Sequence, residues 1–306
     1  MANENGPSAV ELEKKLRLTS EYLLVEEING FRRSIRLFDG NHKQLKDQII
    51  FFEDAEQSFH LSQPDNYEEK LYFQSEIMRL LHNYVASALS LIDHSRLHYR
   101  KLYGNGTFPE YQKRVEDIFE KDPLASFVKG LRQYFQHYGL PEMYFQTKWQ
   151  VDHPTLIRSI HLRNGELKEF DWKAKAREYL NAQATDINLA NLIDAYQNKV
   201  AEFYDWFQLR QEELHAIEIQ KVNETRSKIR RLLLPDILNA TLQFPEVTAA
   251  SFEVTILPYI GYEEQIVLTL MEPASKAEFL LHVFKSMAEI SPAIERKIVE
   301  IYQASL

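Results

Sequence analysis

Cysteine is absent from all 306 residues. Disulfides, thiolate metal sites and a cysteine nucleophile are therefore excluded, and the reducing cytoplasm is the expected setting. Glycine occurs 9 times and proline 11 times, below average usage of about 7% and 5%, so long elements and few tight turns are expected. No run of eighteen apolar residues occurs, and no membrane helix is expected. The opening MANENGPSAVELEKK has no basic stretch followed by an apolar one, so no signal peptide is expected. Cations are outnumbered: 36 Lys and Arg face 45 Asp and Glu, for a formal net charge of −9. Non-specific nucleic-acid binding by the whole surface is disfavoured, because phosphate neutralisation needs clustered cations; one local basic groove is still compatible with this balance. There is no Gly-rich phosphate loop, no GxSxG and no dinucleotide fingerprint, so familiar kinases, hydrolases and dehydrogenases are not expected. No internal repeat is present.

What is present is a large apolar complement, 44% of residues with 12% aromatic, enough for a substantial core. Residues 1–9 read as a tail. Leu12, Leu16, Leu23, Leu24, Ile28, Phe31, Ile35 and Phe38 recur at helical spacing, and Asp39-Gly40-Asn41 reads as the turn that ends this helix. A shorter helix is expected over 42–62. Tyr67 to Tyr103 contains neither Pro nor Gly and predicts one long helix, followed by another from Pro109 to about Glu120. Together with Asp122–Pro141 these form the expected antiparallel bundle. Thr155–Leu162 and Leu167–Phe170, around Asn164-Gly165, read as a β-hairpin. Asp186 is expected to cap a helix running to about Leu234 and stopped by Pro235. Leu238–Phe244, Phe252–Leu257 and Glu264–Met271 read as strands, with short helices at 275–290 and 292–304. The fold class expected is therefore mainly α: a helical bundle over 10–235 with a β-hairpin insertion near 155–170, and a small α+β unit over 236–306.

The best-punctuated segment is DPLASFVKGLRQYFQHYGLP, residues 122–141. Asp122 suits an N-cap, Pro123 the first helical position, and Gly139 the residue just past the end. Leu124, Phe127, Val128, Leu131, Tyr134, Phe135 and Tyr138 fall in one stripe. Arg132, Gln133, Gln136 and His137 lie on the opposite half. Arg132 and His137 are roughly 140° apart on an ideal helix, so a site built on both needs a second helix or a second subunit.

The spacing Arg132-x4-His137 within LRQYFQHYGLP resembles the Arg-polar-four-His element of HEPN domains. MRLLHNYVASALSLIDHSRLHYRKLYG (78–104) and LIDAYQNKVAEFYDWF (192–207) are similar to segments of uncharacterised bacterial HEPN-like proteins. The likeness covers about residues 10–215. It implies an RNA-binding protein acting as a homodimer, and a metal-independent endoribonuclease of a defence or toxin system. In that scheme His137 transfers protons and Arg132 holds the phosphate. Gln133 stands where the family commonly has Asn, which places the amide about one methylene further out. No cofactor and no metal are implied.

Arg96, His98, Arg100 and Lys101 make the end of the long helix basic and suggest an anion-binding cleft if they pack beside Arg132. His94 and His98 are four apart, but no third ligand is identifiable, and a structural or surface role is expected. Arg226, Lys228, Arg230 and Arg231 form a second basic cluster, expected to be a solvated helix end. His60, His153, His161, His215 and His282 are isolated. The contrasting expectation is a non-catalytic dimeric module that engages a protein partner through 236–306.

Overall fold

Apolar spacing close to 3.6 residues dominates the chain, and in the computed structural model most of it is helix, with one small antiparallel sheet. The structure describes residues 6–104, 106, 108–150, 155–244 and 246–304. Contacts divide the chain into two units, one formed by 27–214 and the other by 1–26 with 215–306. This differs from a division at residue 235: the N-terminal segment shares a unit with the C-terminal one.

In the larger unit, helix α2 (Ser20–Glu53), which begins in the other unit, lies with α3 (Tyr67–Tyr103) and α8 (Leu189–Leu214) around an aromatic-rich core. Tyr84 is typical of it: its ring stacks on Phe38 at 5.2 Å and meets Tyr196 edge-on at 6.3 Å. Its hydroxyl donates to the Ile193 carbonyl at 3.1 Å, so the buried polar tip is satisfied. The helix expected to end at Asp39-Gly40-Asn41 runs on to Glu53, and the segment expected as a separate helix over 42–62 is its continuation followed by 3-10 turns. One exposed glycine costs a helix only about 1 kcal/mol, which burial of Phe38, Leu45, Ile49 and Phe52 exceeds.

After α3 come α4 (Glu110–Val115), a π-helical turn (Glu116–Glu120) and α5 (Pro123–His137). Strand β1 (Met143–Gln150) then pairs antiparallel with β2 (Thr155–Leu162), in register Met143↔Leu162 to Gln150↔Thr155. The β2 strand is where the sequence places it, but its partner precedes it. Asn164-Gly165 is not a hairpin turn; it starts the short helix α6 (Asn164–Leu167). The Asn164 backbone N–H donates to Asp186 Oδ1 at 2.8 Å, and its amide reaches the Leu180 and Gln183 carbonyls. Asp186 is thereby engaged and caps no helix. Next come α7 (Ala174–Ala182) and β3 (Ile187–Asn188), the latter completing a sheet of order β1-β2-β3. Asn188 Oδ1 accepts from Asn191 N at the start of α8. Arg158 on β2 is buried under the α2–α3 connection, donating to the Ser58 carbonyl at 2.7 Å and to Ser62 Oγ at 2.9 Å, with its guanidinium 4.3 Å above the Phe52 ring.

In the smaller unit, Ser8 caps α1 (Ala9–Arg17) in a reciprocal box with Glu11, so position 9 of the expected tail is helical, and positions 1–5 lie outside the described residues. Helix α1 packs on α9 (Ala216–Leu242), which is separate from α8, the break falling at His215, and carries Pro235 inside it. The rest is helical: α10 (Ala249–Ile256), α11 (Tyr262–Leu270), α12 (Pro273–Met287) and α13 (Pro292–Gln303). The α+β unit expected over 236–306 is thus corrected to an all-helical one. The apolar runs read there as strands are short enough to suit either structure. For 252–256, Thr248 and Ser251 close a capping box at the start of α10, which decides for helix. No described helix is long and apolar enough to cross a membrane.

Candidate functional site

Helix α5 is positioned by local chemistry at both ends. Asp122 Oδ1 accepts from the Ala125 N–H at 2.8 Å, and its other oxygen lies 2.9 Å from Lys199 Nζ. At the far end the N–H groups of Tyr138 and Gly139 both reach the Tyr134 carbonyl, at 2.9 and 3.0 Å. The second bond spans five residues, and Gly139 takes φ 149°, a region that favours glycine. Leu124, Phe127, Val128, Leu131 and Tyr134 are buried as the apolar stripe requires, whereas Tyr138 is exposed.

The stripe leaves one arc of α5 to solvent. Gln133, Gln136 and His137 are exposed and Arg132 is half-buried. At 100° per residue, Arg132 and His137 stand at the two margins of this arc, with Lys129, Gln133 and Gln136 between. Among the described residues, neither the Arg132 nor the His137 side chain makes a hydrogen bond or an ion pair. The structure thus places Arg132, Gln133 and His137 on one solvent-facing helix surface, and a single helix does not converge the guanidinium and imidazole on one atom.

The second proposed cluster is not brought together. His98 is only 4% exposed, stacked on Phe31 at 4.8 Å and hydrogen-bonded through Nε2 to Gln211 Oε1 at 2.6 Å. Burial pushes its pKa below the ordinary histidine value, so the neutral ring is favoured. His98 is therefore removed from any anion-binding surface: position 98 falls on the apolar side of α3, where the core takes it. Arg96 is spent on Glu120 at 3.3 Å, while Arg100 is exposed. His94 meets Ser34 Oγ at 2.9 Å, and among the described residues no group of three metal-ligating side chains exists. In the other basic cluster Arg226 pairs with Glu26 at 2.9 Å and Arg230 reaches the Ile260 carbonyl at 3.4 Å, so that cluster is partly engaged rather than a free helix end. His153 lies outside the described residues.

One feature beside the motif was not legible as a site. A cavity of about 250 Å³ opens between α5, the π-helical turn and the start of α7, reached by Ser126, Lys129, Gln133, Glu120 and Lys173. Its apolar wall is Trp172 and Phe170. Gly130 is what lets the wall come so near: a Cβ there would stand 2.6 Å from Trp172 Cζ3. The one signal in the sequence was a glycine in mid-helix, which propensity disfavours and close packing explains. Comparison with protein-family models, curated proteins and solved structures finds no match to this chain.

Proposed function

We propose that the chain is a HEPN-like RNA-binding protein and that the exposed arc of α5 carries a metal-independent endoribonuclease site completed by a second copy. The observation that supports this most is the state of the motif: Arg132, Gln133 and His137 share one accessible helix face, and Arg132 and His137 are unpaired among the described residues. Arg79 and Arg210 are each engaged by a carboxylate, Glu76 and Glu213, whereas Arg132 is left available to a ligand. Two such arcs apposed would bring the Arg132 of one copy toward the His137 of the other. The RNA 2′-oxygen then attacks the adjacent phosphorus as an imidazole takes its proton. The bond from phosphorus to the 5′-oxygen breaks, and the leaving oxygen receives a proton, leaving a 2′,3′-cyclic phosphate and a 5′-hydroxyl. Arg132 neutralises charge on the phosphoryl oxygens.

The test is cleavage of a labelled RNA in chelator by the wild type, Arg132→Ala and His137→Ala. The expected result is cyclic-phosphate ends from the wild type and a loss of roughly 10²-fold or more in each variant. Equal cleavage by all three, or cleavage by none, overturns the nuclease reading.

A second reading has its own support. The helices α10 and α11 expose Val254, Ile266, Val267 and Leu270, apolar side chains suited to a protein partner of the 236–306 segment in a non-catalytic module. Affinity capture with wild type beside Leu270→Asp distinguishes it: a specific partner lost in the variant supports it, and an unchanged profile opposes it.

A further inference from the structure

The cavity beside Gln133 has a chemistry that its surroundings do not use up. Lys129 and Lys173 stand exposed at its rim, and among the described residues neither has an ion-pair partner. The one acid at the cavity, Glu120, is offset by Arg96 at 3.3 Å. Ser126 and Gln133 add a hydroxyl and an amide, both able to donate to an anion. Lys173 is also the N-cap of α7, which it caps with no side-chain acceptor. In a chain of net charge −9, this is a concave site with two free cations, neutral donors and an aromatic wall.

Size narrows the ligand. About 250 Å³ is below the ~300–1,000 Å³ of pockets that enclose a whole small ligand, so the cavity suits one end of a molecule. We propose that it binds a terminal phosphate, held between Lys129 and Lys173 with donors from Ser126 and Gln133, while the attached sugar lies against Phe170 and the edge of Trp172. The phosphate is that of a free mononucleotide or of an RNA end. The inference shares Gln133 with the site proposed above but requires neither Arg132 nor His137, so the two stand or fall separately.

Titration calorimetry at low salt tests it with four probes: adenosine monophosphate, adenosine, and one short oligoribonucleotide with and without a 5′-phosphate. The full-length wild type is compared with Lys129→Ala/Lys173→Ala and with Arg132→Ala/His137→Ala, each checked for unchanged helicity. Both lysines are exposed, so the first variant is expected to fold. The phosphorylated probes are expected to bind at least tenfold more tightly than their unphosphorylated counterparts. That preference is expected to vanish in the lysine variant and to change less than twofold in the Arg132/His137 variant. A stronger preference with the oligoribonucleotide assigns the site to an RNA end, and a stronger one with the monophosphate to a free nucleotide. No preference for phosphate in the wild type overturns the inference, as does a preference that survives in the lysine variant. Loss only in the Arg132/His137 variant overturns it while supporting an anion site at the α5 motif.

Discussion

His98 shows how one buried residue ties stability to pH. Its ring lies on Phe31, its Nε2 is bound to Gln211, and its Nδ1 is 3.9 Å from a Glu27 carboxylate already held by Lys101 at 2.5 Å. With Gln211 Oε1 as acceptor, the ring proton sits on Nε2 and Nδ1 is left without a hydrogen bond. Desolvation depresses the folded-state pKa below the unfolded value of about 6.5. Above that pH both states are neutral and the full stability is present. As pH falls below it, the unfolded chain takes up a proton that the folded chain resists, so stability declines. His42 and His161 shift in the same direction by burial and add to the slope. Urea unfolding is expected to show a lower midpoint at pH 5.5 than at pH 7.5. The decline is expected to be shallower in His98→Phe/Gln211→Leu, which removes the titrating ring together with its partner. Equal slopes in the two proteins would exclude His98 as a contributor.

At the scale of elements, the contact between α5 and α7 turns on a missing side chain. Trp172 is fixed on several sides: it lies parallel to Tyr134 at 6.0 Å, meets Phe127 at 5.1 Å and Phe170 at 5.0 Å, and its indole N–H donates to the Leu167 carbonyl. A methyl group at position 130 would stand 2.6 and 2.8 Å from two carbons of that ring. Removing glycine from a helix interior gains about 1 kcal/mol, whereas overpacking costs ~1–3 kcal/mol. Because the ring is packed against Phe127, Tyr134 and Phe170 and tied by its indole N–H, overpacking wins. Gly130→Ala is expected to lower Tm. Gly40→Ala, in α2 with nothing within 4 Å, is expected to raise it by the equivalent of roughly 0.4–1 kcal/mol. Thermal scans of the two variants side by side check the prediction, and a Tm increase for both would show that Trp172 is free to shift.

For the whole molecule, the relevant fact is two separate apolar cores. One gathers Phe38, Tyr84, Phe127, Phe203 and their neighbours within 27–214. The other centres on Leu238, Phe252, Phe284 and Ile298 within the second unit, with a satellite of Leu16, Val25, Val222 and Ile229. Each core supports its own cooperative transition, so calorimetry is expected to depart from a single two-state curve. Phe284→Ala and Phe203→Ala remove side chains with no exposed surface, each at a cost of ~3–5 kcal/mol. Each substitution is expected to shift a different transition. One transition shifted alike by both would mean that the units unfold as one.

The parts of this structure that rest on neighbouring residues were legible in the chain. Asp122, Pro123 and Gly139 bound α5 because a cap is a hydrogen bond formed within one turn, and 37 residues without Pro or Gly gave α3 its span. The exposed arc holding Arg132, Gln133 and His137 follows from the same periodicity. What depended on distant residues was not legible. The segment 252–256 carries β-branched Val254, Thr255 and Ile256 but is helical, because Thr248 caps it and Phe284 and Tyr302 pack on Phe252. β2 pairs with the strand before it, since Asn164 and Asp186 are drawn into one hydrogen-bonded corner. His98 is a core residue because Gln211, 113 positions away, supplies its partner. The cavity is lined by residues as far apart in the chain as Gly130 and Trp172. Local hydrogen bonds and helical period decided where the helices lie, and long-range packing decided which polar side chains they leave available for chemistry.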